Sequence, residues 1–248
     1  GPHDNVPTPF MINIRKSLAA VQGVGSERLK LLGVITGGHT VIHWYQQLWP
    51  VIIPSVKASL GLTDIQLGAL SSIKQFTTGP LMLPAGILAD LFRKRTAVIM
   101  AAAFLFFGIA HLLMAQGTTF IWIIPGVALL GVGTALWHPA AMGSISLRFR
   151  ERRASALAIH GVGASVGDTI APVAIGLILL TLSWQRMLEL HMIPALIISV
   201  LVWRILDSIY KNQEGSRPSL GSYFNEARGL IRHRVVLAII GVNVLTGM

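Results

Sequence analysis

Six apolar stretches divide the chain, with limits near residues 30–56, 65–90, 96–116, 119–147, 154–181 and 184–206. A helix crossing about 30 Å of hydrocarbon needs about 20 such residues, and each stretch is long enough. The pattern predicts an all-α membrane protein built as a bundle of six transmembrane helices. Residues 1–29 read as an N-terminal arm, with a short amphipathic helix on the membrane surface suggested by Ile12, Ile14, Leu18 and Val21. Residues 207–234 read as a basic linker with an amphipathic helix, and 235–248 as the start of a truncated seventh helix, too short to span.

The polar positions inside the apolar stretches are few and so carry information. Lys74 lies about ten residues in from Asp64, near mid-membrane at about 1.5 Å per residue. An ionisable side chain at that depth is costly unless it faces a wet cavity or a partner. In the first stretch His39 and His43 stand four apart and share a helix face. Tyr45, Gln46, Gln47 and Trp49 follow, a lining suited to orienting a small organic molecule. The third stretch contains only His111, expected to be hydrogen-bonded within the bundle, and Phe104, Phe106 and Phe107 read as packing or lipid-facing rings.

The fourth stretch carries Gly126, Gly131, Gly133 and Trp137-His138-Pro139, where small residues permit close helix contact and the proline bends the helix. The fifth holds His160, Gly163, Gly167, Asp168 and Pro172. On helix positions alone, Lys74, His43 and Asp168 share one depth, and His39, His138 and His160 a second level nearer the cytoplasm. Two readings of Lys74 and Asp168 follow: a charge pair that opens to admit substrate and a proton, or a static ion pair locking two helices, since either charge buried alone is strongly destabilising.

Composition sharpens this picture. The chain is 53% hydrophobic and 12% charged, with a mean hydropathy of +0.66, whereas soluble domains carry about 25% charged residues. The net charge of +10 would suit nucleic acid were the bases not sorted by topology. Arg15, Lys16, Arg28, Lys30, Arg93–Arg95, Arg148, Arg150, Arg152, Arg153, Arg204, Lys211, Arg217, Arg228, Arg232 and Arg234 flank one side, 17 of the 20 bases. Lys57 and Arg186 flank the other. The positive-inside rule then places both ends of the six-helix unit in the cytoplasm. The chain has no cysteine, which excludes disulfides and thiolate metal sites. The opening Gly1-Pro2 reads as a protease-tag scar.

The segment Gly86-Ile-Leu-Ala-Asp90-Leu-Phe-Arg93-Lys94-Arg95 resembles the gating loop between helices 2 and 3 of major facilitator superfamily transporters. Gly86, Asp90, Lys94 and Arg95 match in kind, while Leu91 replaces that family's first arginine and Arg93 its second glycine. Gly38-His39, Pro50, Pro54, Trp137-His138-Pro139-Ala-Ala and Arg152-Arg153-Ala-Ser-Ala-Leu-Ala-Ile-His160-Gly are similar to the fosmidomycin-resistance-like efflux proteins of that superfamily. The departures are His43 where that group has an acid, Asp168 where it has a small residue, and Val127 where many drug–proton antiporters carry an arginine.

The resemblance implies half of a major facilitator fold, a 3+3 inverted repeat. It implies a secondary active transporter working by alternating access, in proton-coupled efflux of a small anionic or amphiphilic compound across a bacterial inner membrane. A second half is then required, either a missing C-terminal half or a second copy of the chain. The substrate and proton pathway is expected at His39, His43, Gln46, Lys74, His138, His160 and Asp168. No enzyme activity, cofactor, resident metal or nucleic-acid partner is expected. Two alternatives stand beside it: a metal-ion transporter using His39, His43, His138, His160 and Met142, and a non-transporting membrane assembly or receptor subunit.

Overall fold

The structure, a computed structural model, describes residues 25–211 and, beyond them, only Gly221, Asn225, Arg228, Gly229 and Ala238. The expected surface helix before residue 25, the linker after Lys211 and the truncated seventh helix therefore lie outside the described residues.

Every predicted apolar stretch is helical. The elements are α1 (Ser26–Leu60), α2 (Asp64–Leu91), α3 (Thr96–Ala115), α4 (Phe120–Arg148), α5 (Arg153–Ile178), α6 (Trp184–Leu190) and α7 (Met192–Lys211). Two 3₁₀ turns, Arg93–Arg95 and Arg150–Arg152, join α2 to α3 and α4 to α5. Helix α1 ends where Gly61 takes a left-handed conformation with φ 63°, which residues with a Cβ adopt at a cost. Helix α2 then begins in a capping box: Thr63 Oγ1 accepts from the Gln66 backbone N–H at 3.2 Å, and Gln66 Oε1 accepts from the Thr63 N–H at 2.9 Å.

The sixth stretch, expected as one helix over 184–206, is two, separated at His191 and continuing to Lys211. Pro194 has no N–H to give to Leu190, and its ring crowds the Leu190 carbonyl.

Among the described residues, four segments are apolar and long enough to cross a membrane: Arg93–Ala115, Phe120–Arg148, Arg150–Ile178 and Trp184–Lys211. Helices α1 and α2 have the length, 35 and 28 residues, but fall outside that set because they carry more polar side chains. His39, His43, Gln46 and Gln47 interrupt α1, and Gln66, Lys74 and Gln75 interrupt α2.

The main packing pairs are α1 with α5, α2 with α4, α3 with α4, and α3 with α7. Exchanging the first three helices for the last three maps the α1–α5 pair onto α4–α2 and leaves α3 against the last helix. Helix α3 is the centre: 61% of its apolar segment is buried, against 22% for α5. Phe104 and Phe107 of α3 and Trp137 of α4 are fully buried there, so these rings are packing residues, with Phe104 and Trp137 meeting edge to face at 5.2 Å. His111 is buried, its Nδ1 hydrogen-bonded to the Phe107 carbonyl at 2.6 Å, as the sequence leads one to expect.

Candidate functional site

The site grows from the contact of α5 on α1. A Cβ placed on Gly167 would lie 2.5 Å from the Thr40 carbonyl oxygen and 2.8 Å from His43 Cβ. Only glycine lets the two backbones come this close, and the next residue, Asp168, is thereby carried to His43. Asp168 Oδ1 accepts from Gln47 Nε2 at 2.7 Å and lies 3.0 Å from His43 Nδ1. His43 and Gln47 are one helical turn apart, so α1 offers both donors to one carboxylate.

From His43 the polar contacts continue inward. His43 Nε2 lies 3.1 Å from His39 Nε2, and His39 Nδ1 lies 3.0 Å from the His160 carbonyl oxygen. His138, on α4, hydrogen-bonds through Nδ1 to the Thr134 carbonyl at 2.9 Å. The rings are closely grouped, with centroids 4.6 Å apart for His39 and His43, 5.3 Å for His39 and His138, and 6.2 Å for His43 and His138. His160 stacks flat on His39, centroids 3.9 Å apart, and both its ring nitrogens are buried without a hydrogen-bond partner. The two levels expected from helix positions are therefore one four-histidine cluster, because each imidazole reaches far enough to close a single turn of helix. One ring nitrogen from each of His39, His43 and His138 lies within 4.8 Å of the others, and His160 falls outside that convergent set. Met142 is 48% exposed, one turn beyond His138.

Asp168 therefore pairs with His43 and Gln47, and the expected pairing with Lys74 is not present. Helix α5 packs on α1, while α2, which carries Lys74, packs on α4. The half-buried Lys74 ammonium has no hydrogen-bond or ionic partner among the described residues. Gln46 reaches α4 through Thr134 Oγ1 at 3.4 Å, the long end of hydrogen-bond range.

At the expected gating loop, Gly86 faces Pro139 of α4, and Asp90 Oδ1 is 4.0 Å from an Arg93 guanidinium nitrogen. Lys94 and Arg95 are exposed. Asp90 and Arg93 border a small cleft shared with Ser144 and Tyr210. There the Tyr210 hydroxyl donates to Ser144 Oγ at 2.5 Å, and Arg148 lies over the Tyr210 ring.

Two pairings were not read from sequence. Gln47 is expected only as part of the lining; its spacing of four from His43 places it on the same face, and its partner there is Asp168. The other joins α1 to the α6–α7 break: Trp44 Nε1 donates to His191 Nε2 at 3.1 Å and the Tyr45 hydroxyl donates to the His191 carbonyl at 2.7 Å. Nothing in a single sequence pairs residues so far apart.

Comparison with known proteins agrees with this architecture. The family description Major Facilitator Superfamily matches residues 36–248. The puromycin resistance protein pur8 of Streptomyces alboniger is 30% identical over 194 residues, covering 76% of this chain and 37% of that protein. The fosmidomycin resistance protein of Escherichia coli is 24% identical over 149 residues, covering 60% of this chain and 36% of that protein. The chain thus spans less than half the length of these relatives. A crystal structure of a bacterial homologue of the human lysosomal transporter Spinster, inward-facing and unoccupied, superposes with a TM-score of 0.57 at 17% identity. It covers 79% of this chain and 45% of that one, a likeness of fold. With the family matched over most of its length and the loop and helix motifs in order, the chain belongs to the major facilitator superfamily, a family of integral membrane transporters.

Proposed function

We propose that the chain forms the N-terminal, six-helix, 3+3 inverted-repeat half of a secondary active transporter. It moves a small anionic or amphiphilic compound by alternating access, in proton-coupled efflux across a bacterial inner membrane. Both ends of the six-helix unit lie in the cytoplasm, and a C-terminal half or a second copy completes the cavity. Gly86, Asp90, Lys94 and Arg95 form the gating loop. His39, His43, Gln46, Lys74, His138, His160 and Asp168 line the pathway.

The observation that carries this reading is Lys74. It is a cation well inside a membrane helix, and Asp168 is already held by His43 and Gln47. An uncompensated charge at that depth marks a substrate or ion pathway, and an anionic substrate supplies the missing countercharge. The relatives named for puromycin and fosmidomycin resistance support transport of small organic compounds.

The test is flux of a labelled phosphonate, driven by a pH gradient, in vesicles bearing the complete transporter. Wild type should accumulate the label until a protonophore collapses the gradient. Lys74→Ala should lower the rate at least tenfold, with Lys74→Arg in between. Equal rates in all three would refute the anion site, and flux indifferent to the protonophore would refute proton coupling.

A further inference from the structure

We infer that His39, His43 and His138 form a three-imidazole site for a divalent first-row transition ion of the zinc type. The ion draws α1 and α4 together, and α5 sets its geometry from behind. This goes beyond the transport reading and does not depend on it, since binding is measured without flux.

The argument rests on which nitrogen of each ring is committed. His39 Nδ1 faces the His160 carbonyl, His138 Nδ1 faces the Thr134 carbonyl, and His43 Nδ1 faces the Asp168 carboxylate. All three partners are oxygen acceptors, so each ring places its N–H on Nδ1 and leaves a lone pair on Nε2. Metal-ligating histidines are held in this way, with the second nitrogen donating to a carboxylate or backbone carbonyl that fixes tautomer and orientation. Here all three rings have such a partner, one of them a carboxylate.

Two of these Nε2 atoms also stand at a metal's spacing. His39 Nε2 and His43 Nε2 are 3.1 Å apart. Two inward lone pairs repel at this distance unless a cation lies between them. With metal–nitrogen bonds of about 2.0–2.1 Å, tetrahedral ligands stand about 3.3 Å from one another. The His39–His43 pair is already at that value to within a few tenths of an ångström. One nitrogen of His138 joins them inside 4.8 Å, so its closing movement is on the order of 1 Å, within a side-chain adjustment. Imidazole ligands suit zinc, copper and nickel over magnesium or calcium. Three ligands leave a fourth position open to water or an anionic oxygen, the arrangement of an ion that meets a ligand rather than a closed structural site.

The experiment uses protein purified in detergent micelles with any polyhistidine tag removed and stripped with a chelator. Co²⁺ is titrated as the spectroscopic probe, then displaced by Zn²⁺. Wild type should bind one Co²⁺ per chain with the intense visible absorption of a four-coordinate site, lost stoichiometrically on adding Zn²⁺. His39→Gln, His43→Gln and His138→Gln should each weaken binding by at least a hundredfold, while His191→Gln, outside the cluster, should bind as wild type does. Asp168→Asn removes a positioning residue rather than a ligand. It should weaken binding about 10–100-fold while keeping the four-coordinate spectrum. Metal-free unfolding midpoints check that the variants fold, and the wild-type spectrum decides the coordination without them. Wild type that binds no stoichiometric ion in the micromolar range would overturn the inference, and a shared proton alone would then join His39 to His43. So would binding that survives all three glutamine substitutions. Loss of metal binding with intact gradient-driven flux would leave the transport reading standing.

Discussion

Gly167→Ala tests whether close helix contact is what assembles the site. The added methyl would meet the Thr40 carbonyl oxygen at 2.5 Å and His43 Cβ at 2.8 Å, where side-chain carbons ordinarily keep to 3.4 Å or more. Neither neighbour is the free end of a flexible chain, so α5 must move away from α1 by roughly 0.6–0.9 Å. Overpacking of this kind costs about 1–3 kcal/mol. The same movement acts on the contacts of the adjacent Asp168, now 2.7 Å to Gln47 and 3.0 Å to His43. Both would approach or pass about 3.5 Å, beyond which a side-chain contact is no longer a hydrogen bond.

The control lies on the same helix. Gly176 has nothing within 4 Å of the position a Cβ would take. Gly176→Ala should therefore be neutral or stabilise the helix by about 0.5–1 kcal/mol, the usual gain from replacing a mid-helix glycine. Thermal unfolding of both variants in one detergent gives the comparison without an absolute scale. Gly167→Ala should unfold below wild type, and Gly176→Ala at or above it. Equal midpoints for the two variants would refute the claim that glycine at 167 is required by the α1–α5 approach.

Other substitutions probe separate links. Trp137→Ala empties the largest fully buried side chain and should cost about 3–5 kcal/mol, read as a large fall in unfolding midpoint. Thr63→Ala removes the side-chain half of the α2 cap and should cost about 0.5–2 kcal/mol, with Thr63→Ser recovering most of it. Tyr45→Phe deletes the donor to the His191 carbonyl across the α6–α7 break and should cost about 1 kcal/mol, with hydrogen exchange rising first at residues 188–195. Lys74→Met removes a half-buried charge without an ionic partner among the described residues, so the midpoint should rise or hold while anion flux falls; a lowered midpoint would mean that Lys74 is structural.

The helices and the family were legible because both are written along the chain. Apolar length gives the spans, and Gly86, Asp90, Lys94 and Arg95 keep their spacing whatever the packing. Faces were legible too: His39 and His43, four apart, do share one, and Gln47 follows on it. Neighbours were not. Depth along separate helices put Lys74 beside Asp168, yet depth does not say which helix packs on which. The glycines at 163 and 167 are compatible with close helix approach, but nothing in the sequence says that α1 is the helix that comes close. The break at His191 was likewise readable in Pro194 and hidden by a hydropathy that runs through it without a change.

The two corresponding helix pairs explain why the charges are distributed as they are. In each, a glycine admits a backbone carbonyl of the partner: Gly167 on α5 meets Thr40 of α1, and a Cβ on Gly131 of α4 would meet the Lys74 carbonyl of α2 at 2.8 Å. The same device closes both contacts, at 2.5 and 2.8 Å, so packing alone barely distinguishes them. The side chains do. Across α1–α5 a carboxylate meets an imidazole and an amide, and its charge is met within this chain. Across α2–α4 the Thr78 hydroxyl donates to the Gly131 carbonyl at 3.4 Å, and among the described residues no carboxylate pairs with the Lys74 ammonium. A fold indifferent to function would settle both charges by placing them in one contact, which the shared helix depth would permit. Their separation onto two different pairs leaves Lys74 without a carboxylate partner among the described residues while Asp168 holds His43, the arrangement that the proposed anion pathway requires.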